Sequence, residues 1–201
     1  MSASKSIAFF DFDGTITNKD IFGDFIAYRL RHVLPVWRLL PCLPYIVLYK
    51  LKLMSNETAK ERIFSLLFKG EKQETFKTHV VDYVANHLPR RLRRDALARL
   101  EWHKAQGHDI YIVSANFDIL LDEFTRLHHI KHLSTRIHID NGLITGKFAS
   151  ANCYGPQKVV RIKAQLPNLS DYATIYAYGD SDGDKEMLAL STDRFYRYFK
   201  E

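Results

Sequence analysis

Three short apolar runs are spaced along the chain, and each ends at a polar segment. They cover residues 7–10, 110–113 and 174–178, and each predicts a buried β-strand. Helical patterns lie between them at residues 92–105, which end close to a glycine, and at 156–166, which begin with a proline. This alternation predicts an α/β fold, with a mostly parallel sheet covered by helices on both faces. Ligands of such sheets bind beyond the carboxyl ends of the strands, so the polar segments there are the first candidates for a site.

Residues 18–88 break the alternation, because they contain helical patterns and no clear strand. The chain is therefore predicted to form two units, an α/β core (1–17 and 89–201) and a helical insertion (18–88). A different local signal occurs in residues 136–148, where apolar and polar positions alternate around Asn141 and Gly142. This pair is typical of a type I′ turn, so a β-hairpin is predicted there.

The composition is typical of a soluble globular protein, with 46% hydrophobic and 26% charged residues. The two cysteines, Cys42 and Cys153, are far apart and lack the spacing of a metal site, so a reducing cytoplasm is the expected location. The formal net charge of +6 favours an anionic partner, such as a phosphate ester or an acidic lipid surface. No nucleic-acid partner is expected, because no recognised binding module accompanies the charge. The sequence leaves the oligomeric state open.

Two carboxylates, Asp11 and Asp13, directly follow the first apolar run in the stretch FFDFDGTIT. Residues two apart in a strand point the same way, and two carboxylates at such distance repel each other unless a cation is close. An oxygen-rich site of this kind suits Mg²⁺. A calcium loop is the alternative, but it requires glycine at the sixth position, where Ile16 and Lys185 stand when counted from Asp11 and Asp180. The pattern therefore favours a Mg²⁺ site.

Four segments, FFDFDGTIT, VSAN, GPQKV and GDSDGD, follow one another along the chain, each at a predicted strand end or helix start. Together they resemble the haloacid dehalogenase superfamily, and within it the phosphoserine-phosphatase-like subfamily IB. The resemblance covers nearly the whole chain. It implies a Rossmann-like core with an all-helical C1-type cap inserted after the first strand. It also implies a Mg²⁺-dependent phosphatase that hydrolyses a phosphomonoester.

The same resemblance implies the catalytic roles. Asp11 is expected to be the nucleophile that forms an aspartyl-phosphate, and Asp13 to protonate the leaving oxygen and then activate water. Lys158 is expected to pair with the phosphate and with Asp11, while Lys147 and Lys163 are the alternatives for this cation. Superfamily members that cleave carbon–halogen bonds or pump ions lack an aspartate at the second position, so a phosphatase is favoured. A non-catalytic binding module that keeps the fold is the other alternative.

The acidic motif near the C-terminus implies the metal ligands. Asp180 is expected to bind Mg²⁺ directly, beside Asp11 and the backbone carbonyl of Asp13. Asp184 is expected to orient the water around the metal. Asp182 occupies a variable position of the motif, and its role is left open.

The segment VSAN is expected to bind the phosphate. In the family pattern the hydroxyl of Ser114 and the amide of Ala115 donate to phosphate oxygens. Asn116 is placed beside them, although many relatives carry a small residue or glycine there, and its role is open. Thr15 is expected to support the Asp11 loop and to contribute a hydroxyl or an amide near the phosphate.

The sequence carries two different signals for the substrate's leaving group. Asp20 stands where phosphoserine phosphatases have a glutamate that meets the substrate amine. Yet the stretch after it is far more apolar than an amino-acid phosphate requires. The D-x-F-G-x-F segment at 20–25, together with Cys153, Gly155 and Lys158, resembles phosphatidylglycerophosphatase C-like members, which act on a lipid phosphate. A lipid phosphate such as phosphatidylglycerophosphate and a small soluble phosphomonoester such as phosphoserine therefore both stay open, as does a broad-specificity phosphatase.

The apolar run at residues 39–49 is too short to cross a bilayer, since it has eleven uncharged residues where about 20 are needed. Two interpretations of residues 33–54 stay open. Their side chains fill the core of the helical insertion, or they dock on an anionic membrane surface. The second interpretation would place the protein at the cytoplasmic face of the inner membrane.

Overall fold

The computed structural model of the protein describes residues 5–200. The strands are β1 (Ser6–Phe10), β2 (Asp109–Phe117), β3 (Lys131–Thr135), β4 (Ile137–Asp140), β5 (Leu143–Phe148), β6 (Thr174–Gly179) and β7 (Asp193–Tyr196). The helices are α1 (Ile21–His32), α2 (Leu43–Lys50), α3 (Asn56–Phe68), α4 (Gln73–Asn86), α5 (Arg94–Ala105), α6 (Asp118–His128), α7 (Pro156–Gln165) and α8 (Lys185–Leu190). In the part of the chain that is described, no helix combines the length and the apolar character needed to span a bilayer.

Five strands form one parallel sheet in the order β3, β2, β1, β6, β7, which confirms the predicted α/β class. The strand β1 lies in the middle, where Ile7 pairs with Asp109 of β2 and with Ile175 of β6. The three predicted strands are these central ones. The edge strands β3 and β7 were not predicted, because both are short and neither contains a continuous apolar run like those of the central strands.

Alternate residues of β1 pack on opposite faces of the sheet. Ile7 and Phe9 belong to a buried cluster that includes Ile162 of α7 and Met187 of α8. Ala8 and Phe10 belong to the larger cluster on the other face, which continues into the helices between β1 and β2. This period of two places helices on both faces, as predicted from the buried runs.

The strand β2 is longer than predicted. The apolar run ends at Val113, but pairing with β3 continues through Ser114 and Phe117, with a register shift between these two residues. Ser114 therefore lies within the strand instead of following it, and α6 begins directly afterwards. The polar residues of this segment are extended because they pair with β3, which a local apolar pattern does not reveal.

The antiparallel hairpin β4–β5 has the predicted turn. Asn141 and Gly142 both have positive φ values, 49° and 76°, which is the backbone conformation that a type I′ turn requires. The hairpin prediction is confirmed. Its tip also pairs with the helical segment, through a bridge between Leu143 and Lys72.

The helices α1–α4 lie between the first loop of the chain and α5, and they are anchored on the hairpin. The backbone N–H of Gly70 donates to the carbonyl of Ile144 at 2.8 Å, and the N–H of Ile144 donates to the carbonyl of Glu71 at 2.9 Å. A Cβ atom at Gly146 would lie 2.5 Å from Oγ of Ser65, so the hairpin backbone packs directly against α3. These contacts fix where α3 lies relative to the sheet. The division into a core and a cap domain at residues 18 and 88 stays a prediction.

Candidate active site

The first candidate residue, Asp11, leaves β1 at the carboxyl edge of the sheet. Its backbone N–H donates to the carbonyl of Tyr178 in β6 at 2.9 Å, which continues the strand pairing by one residue. The loop Phe12–Ile16 then turns sharply, and Gly14 has a φ of +83°. A Cβ atom at Gly14 would lie 2.3 Å from Oδ2 of Asp180. Glycine is therefore required here both by the backbone conformation and by the approach of a second carboxylate.

Lys158 lies at the centre of the site. Its side chain is only 2% exposed, and its ammonium is 2.5 Å from Oδ1 of Asp11 and 2.6 Å from Oδ1 of Asp184. Helix α7 carries it inward from Gly155, which has a φ of +58° and donates its N–H to the carbonyl of Gly183. The loop before α7 is thus tied to the loop after β6, and the ammonium reaches both carboxylates.

Three carboxylates converge around this lysine, and we call Asp11, Asp180 and Asp184 the acidic cluster. One oxygen from each lies within 4.8 Å of the others. Asp184 is held rigidly, because its Oδ2 accepts from the N–H groups of Asp180 and Ser181 and from the hydroxyl of Ser181, at 2.9–3.1 Å. Asp180 accepts from the hydroxyl of Thr15 at 3.3 Å. The cluster therefore combines a fixed carboxylate with two that have oxygens available to a ligand.

The cluster has an excess of negative charge. Burial raises the pKa of Asp11 to about 8, although Lys158 acts in the opposite direction. Burial alone would lower the pKa of Lys158, but Asp11 and Asp184 raise it, so the ammonium is charged at neutral pH. Burial and the charge of Asp184 also raise the pKa of Asp180. One ammonium does not balance three carboxylates, and a divalent cation among them would keep Asp11 ionised at neutral pH. A donor set of carboxylate oxygens fits Mg²⁺.

Asp13 lies outside the acidic cluster. Its Oδ1 accepts from the N–H of Ile21 at 2.9 Å, and Nδ2 of Asn116 is 3.3 Å from both carboxylate oxygens. Burial raises the pKa of Asp13 to about 6, with Lys60 acting in the opposite direction. A carboxyl group that titrates this close to neutral pH can both donate and accept a proton during a reaction. The contribution of its backbone carbonyl to a metal stays a prediction.

The segment after Val113 lies against the same space. Ser114 is buried and lines the cavity with Ala115, and its Oγ accepts from the N–H of Asn116 at 3.1 Å. Asn116 is fully buried, and its Oδ1 accepts from the N–H of Phe117 while its Nδ2 faces Asp13. The role of Asn116 was open from the sequence. In the structure its side-chain amide holds the carboxylate of Asp13 in place.

Two further acidic residues occupy different surroundings. Asp20 caps α1, where Oδ2 accepts from the N–H of Gly23 at 3.3 Å, and it lines the cavity near the carboxylates. Asp182 is exposed and pairs with Lys185 at 2.9 Å, so it is not part of the acidic cluster. Of the alternatives to Lys158, Lys147 pairs with Glu61 at the surface and Lys163 is exposed.

The chain is similar to known proteins over nearly its whole length. A family model for haloacid dehalogenase-like hydrolases matches residues 8–189. The chain belongs to this hydrolase family. A relative from Caulobacter vibrioides (strain NA1000 / CB15N), protein CicA, is 32% identical over 195 residues, which are 95% of this chain and 85% of CicA. The resemblance to the superfamily that the four segments indicate is confirmed.

Solved structures show the same fold. A protein of unknown function from Bordetella pertussis Tohama I has a TM-score of 0.85 and 22% identity, covering 96% of this chain and 89% of that one. A phosphoserine phosphatase in a substrate-bound complex has a TM-score of 0.67 and 16% identity, covering 98% of this chain and 87% of that one. At these identities the likeness establishes the haloacid dehalogenase-like fold of the chain.

In this haloacid dehalogenase-like hydrolase, a cavity of about 710 Å³ extends from the acidic cluster to the helical segment. Asp11, Asp13 and Lys158 line one part of it. Much of the remaining lining is apolar and comes from residues 22–63, including Phe22, Ile26, Leu30, Leu39, Ile46 and Ile63. The candidate active site therefore opens into a space that suits an apolar group.

Lys60 is a cavity residue that the sequence analysis missed. It lies on α3 and lines the cavity with Asp13, and its ammonium is 5.5 Å from the centre of the Phe22 ring. Nothing in its sequence context distinguishes it, because charged residues are common on helix surfaces. Its position depends on how the hairpin holds α3, which no local pattern predicts.

Proposed function

We propose that the protein is a Mg²⁺-dependent phosphomonoesterase that forms an aspartyl-phosphate on Asp11. The observation that carries the proposal is the burial of Lys158 between Asp11 and Asp184. A buried ammonium is costly unless it has charged partners, and here it contacts the proposed nucleophile itself. Phosphoryl transfer is catalysed mainly by positioning and by positive charge near the transferring group, which is what this arrangement supplies.

The reaction uses two carboxylates in turn. The Asp11 carboxylate attacks phosphorus, the bond from phosphorus to the ester oxygen breaks, and Asp13 gives its proton to the leaving oxygen. Water then attacks the phosphorus of the aspartyl-phosphate while Asp13 takes up its proton, which releases phosphate and restores the Asp11 carboxylate. The hydroxyl of Ser114 and the amide of Ala115 bind phosphate oxygens during both steps. The pKa of about 6 suits Asp13 for both directions of proton transfer.

The acidic cluster would hold the metal through Asp11 and Asp180, with Asp184 fixing the surrounding groups. When bound, Mg²⁺ supplies positive charge to the phosphoryl oxygens and to the Asp11 carboxylate. Removal of divalent cations with a chelator is therefore expected to abolish turnover, and Mg²⁺ is expected to restore it. Turnover that persists in excess chelator would contradict the role of the cluster.

The cavity supports a substrate with a large apolar group. A lipid phosphate such as phosphatidylglycerophosphate fits an apolar lining better than an amino-acid phosphate does, since burying apolar surface is favourable and burying unpaired polar groups is not. This is consistent with the resemblance to subfamily IB members that act on lipid phosphates. A phosphoserine-like substrate is the second candidate, because the carboxylate of Asp20 also lines the cavity and could meet an amine.

Substitution of Asp11 tests the reaction. The Asp11→Asn variant is expected to lose turnover of p-nitrophenyl phosphate and to retain its folded circular dichroism spectrum. It should also fail to retain labelled phosphate after an acid quench. Asp182→Asn is the matched control, because it neutralises an exposed carboxylate near the site and should keep its turnover. Unchanged activity of the Asp11→Asn variant would refute the nucleophile assignment.

A comparison of substrates tests the leaving group. Turnover of phosphatidylglycerophosphate, lysophosphatidic acid and phosphoserine should be measured side by side, with the lipids dispersed in detergent. The proposal predicts the highest kcat/KM for a lipid. Ile63→Gln should reduce this preference and spare the aryl phosphate, whereas Leu66→Gln, on the exposed side of the same helix, should change neither. Equal rates on all three substrates would leave a broad-specificity phosphatase.

A further inference from the structure

The stretch between α1 and α3 exposes an unusual amount of apolar surface. Its most exposed large apolar residues are Val36, Trp37 and Leu53, at 68%, 67% and 71% of their full accessibility. The helix α2 has no fully buried residue at all. Single exposed apolar side chains are common on protein surfaces, but a concentration of them within one segment marks a contact with something else.

The exposed residues recur at helical spacing. Five of them, each three or four residues after the one before, form what we call the outer stripe: Val36 and Leu40 of the 3₁₀ segment Val36–Cys42, Leu43 and Val47 of α2, and Leu51 directly after α2. Within the α-helix α2, residues four apart share one side, so Leu43 and Val47 face the same way. Leu39, Ile46 and Tyr49 of the same stretch line the cavity. Some apolar residues of the stretch therefore face the cavity and others face solvent. The stretch forms the wall between the cavity and the solvent.

Charge indicates what covers the outer stripe. The chain has no acidic residue between Asp24 and Glu57, and Arg31, Lys50 and Lys52 are exposed in this interval. A second copy of the chain docked through the same face would bring like charges together, which disfavours a symmetric dimer. An anionic lipid surface is complementary to both features, because the cations meet the headgroups and the apolar residues enter the boundary below them. Trp37 suits this depth, where aromatic residues are enriched.

We propose that the outer stripe and the cations beside it dock the protein on an anionic phospholipid bilayer. Docking itself does not depend on the enzymatic activity. Docking would also bring a lipid phosphate of the bilayer next to the stretch that lines the cavity, and this consequence rests on the proposed function. The apolar part of such a substrate would pass from one apolar surface to another without crossing water.

Vesicle sedimentation tests docking separately from catalysis. The Asp11→Asn protein is expected to sediment with vesicles of phosphatidylcholine and phosphatidylglycerol and to bind pure phosphatidylcholine much less. Leu40→Ser combined with Val47→Ser should weaken this partitioning at least about tenfold, because two interfacial apolar side chains are lost. Leu127→Ser combined with Val160→Ser is the matched control, since these residues lie on other helices and are about half exposed, at 48% and 55%, close to the 63% and 52% of Leu40 and Val47. It should bind like the parent.

A second pair of variants tests the electrostatic part. Arg31→Glu combined with Lys52→Glu should remove the preference for anionic vesicles, and high salt should do the same to the parent protein. Lys163→Glu, an exposed cation outside this stretch, should have a smaller effect. All of these variants should hydrolyse soluble p-nitrophenyl phosphate at the parent rate when Asp11 is present.

Three results would decide against docking. The outer-stripe variant could bind vesicles as well as the parent, or the parent could bind no vesicles. The parent could also be a dimer that the outer-stripe variant converts to a monomer, in which case a second copy covers the stripe. Failure of the proposed function would look different, because an inactive protein that still sediments with anionic vesicles supports docking and refutes only the phosphatase.

Discussion

Replacement of Lys158 by methionine is expected to abolish turnover and to destabilise the fold. The variant removes the ammonium and leaves the carboxylates of Asp11 and Asp184 buried without their shared partner. Breaking a buried ion pair by removing one member costs about 3–5 kcal/mol of the free energy of unfolding. For a domain of this size, 1 kcal/mol corresponds to about 2–4 °C in Tm, so a decrease on the order of 10 °C is expected. Thermal unfolding followed by circular dichroism, without added metal, measures it.

The loss should depend on pH in a defined direction. In the unfolded chain the two aspartates titrate near their ordinary pKa of about 4. In the folded variant, burial without the ammonium raises the pKa of both, so the folded state holds protons that the unfolded state has released. Stability of the variant therefore falls as pH rises from about 4 towards 8. The difference in Tm from the parent should be larger at pH 8 than at pH 5.

Two comparisons separate this explanation from general disruption. Lys163→Met, a change of the same kind at an exposed position of α7, should unfold close to the parent temperature. Lys158→Met combined with Asp11→Asn should recover part of the lost stability, because one uncompensated carboxylate is removed. If Lys158→Met unfolds like Lys163→Met at pH 8, the ammonium does not compensate the buried carboxylates and the reasoning fails.

Two other substitutions test particular contacts. Gly14→Ala should weaken Mg²⁺-dependent turnover about 10- to 100-fold, because the added Cβ atom would collide with the Asp180 carboxylate. Turnover measured over a range of Mg²⁺ concentrations tests this. Gly107→Ala is the control, with a similar φ of +71° and open space around the new atom, and equal behaviour of the two would refute the contact. Lys60→Met removes a cation that lowers the pKa of Asp13, so the part of the pH–rate profile that reports the titration of Asp13 should move to higher pH. An unchanged profile would show that Lys60 does not affect Asp13.

The sequence predicted those parts of the fold that depend on local chemistry. The central strands β1, β2 and β6 each contain a continuous apolar run, because both of their faces are buried there. The turn at Asn141 and Gly142 needs two positive φ values, which few residue pairs accept. The edge strands β3 and β7 were missed because their extended form comes from pairing with a neighbour. The same reason explains why β2 continues past its apolar run.

The candidate site likewise has residues whose meeting the sequence predicts and residues whose position it does not predict. Asp11, Lys158 and Asp180 each follow a strand or begin a helix, so their family motifs and the parallel sheet together predict that they meet. The position of Lys60 in the cavity could not be predicted, because it depends on the packing of α3 against the hairpin. The hydrogen bond from Asn116 to Asp13 could not be predicted either, because it joins residues that are far apart in the chain.

Residues 33–54 show why two interpretations of one apolar run were both open. Apolar residues occur on all sides of this helical stretch, so the periodicity of the sequence alone does not indicate which side faces inward. In the structure Cys42 is buried and Ile46 lines the cavity, while Leu40 and Val47 are exposed. Substitutions on the two sides should therefore have separable effects. A polar residue at Ile46 should change selectivity even for substrates in detergent, whereas one at Val47 should affect only substrates presented in vesicles.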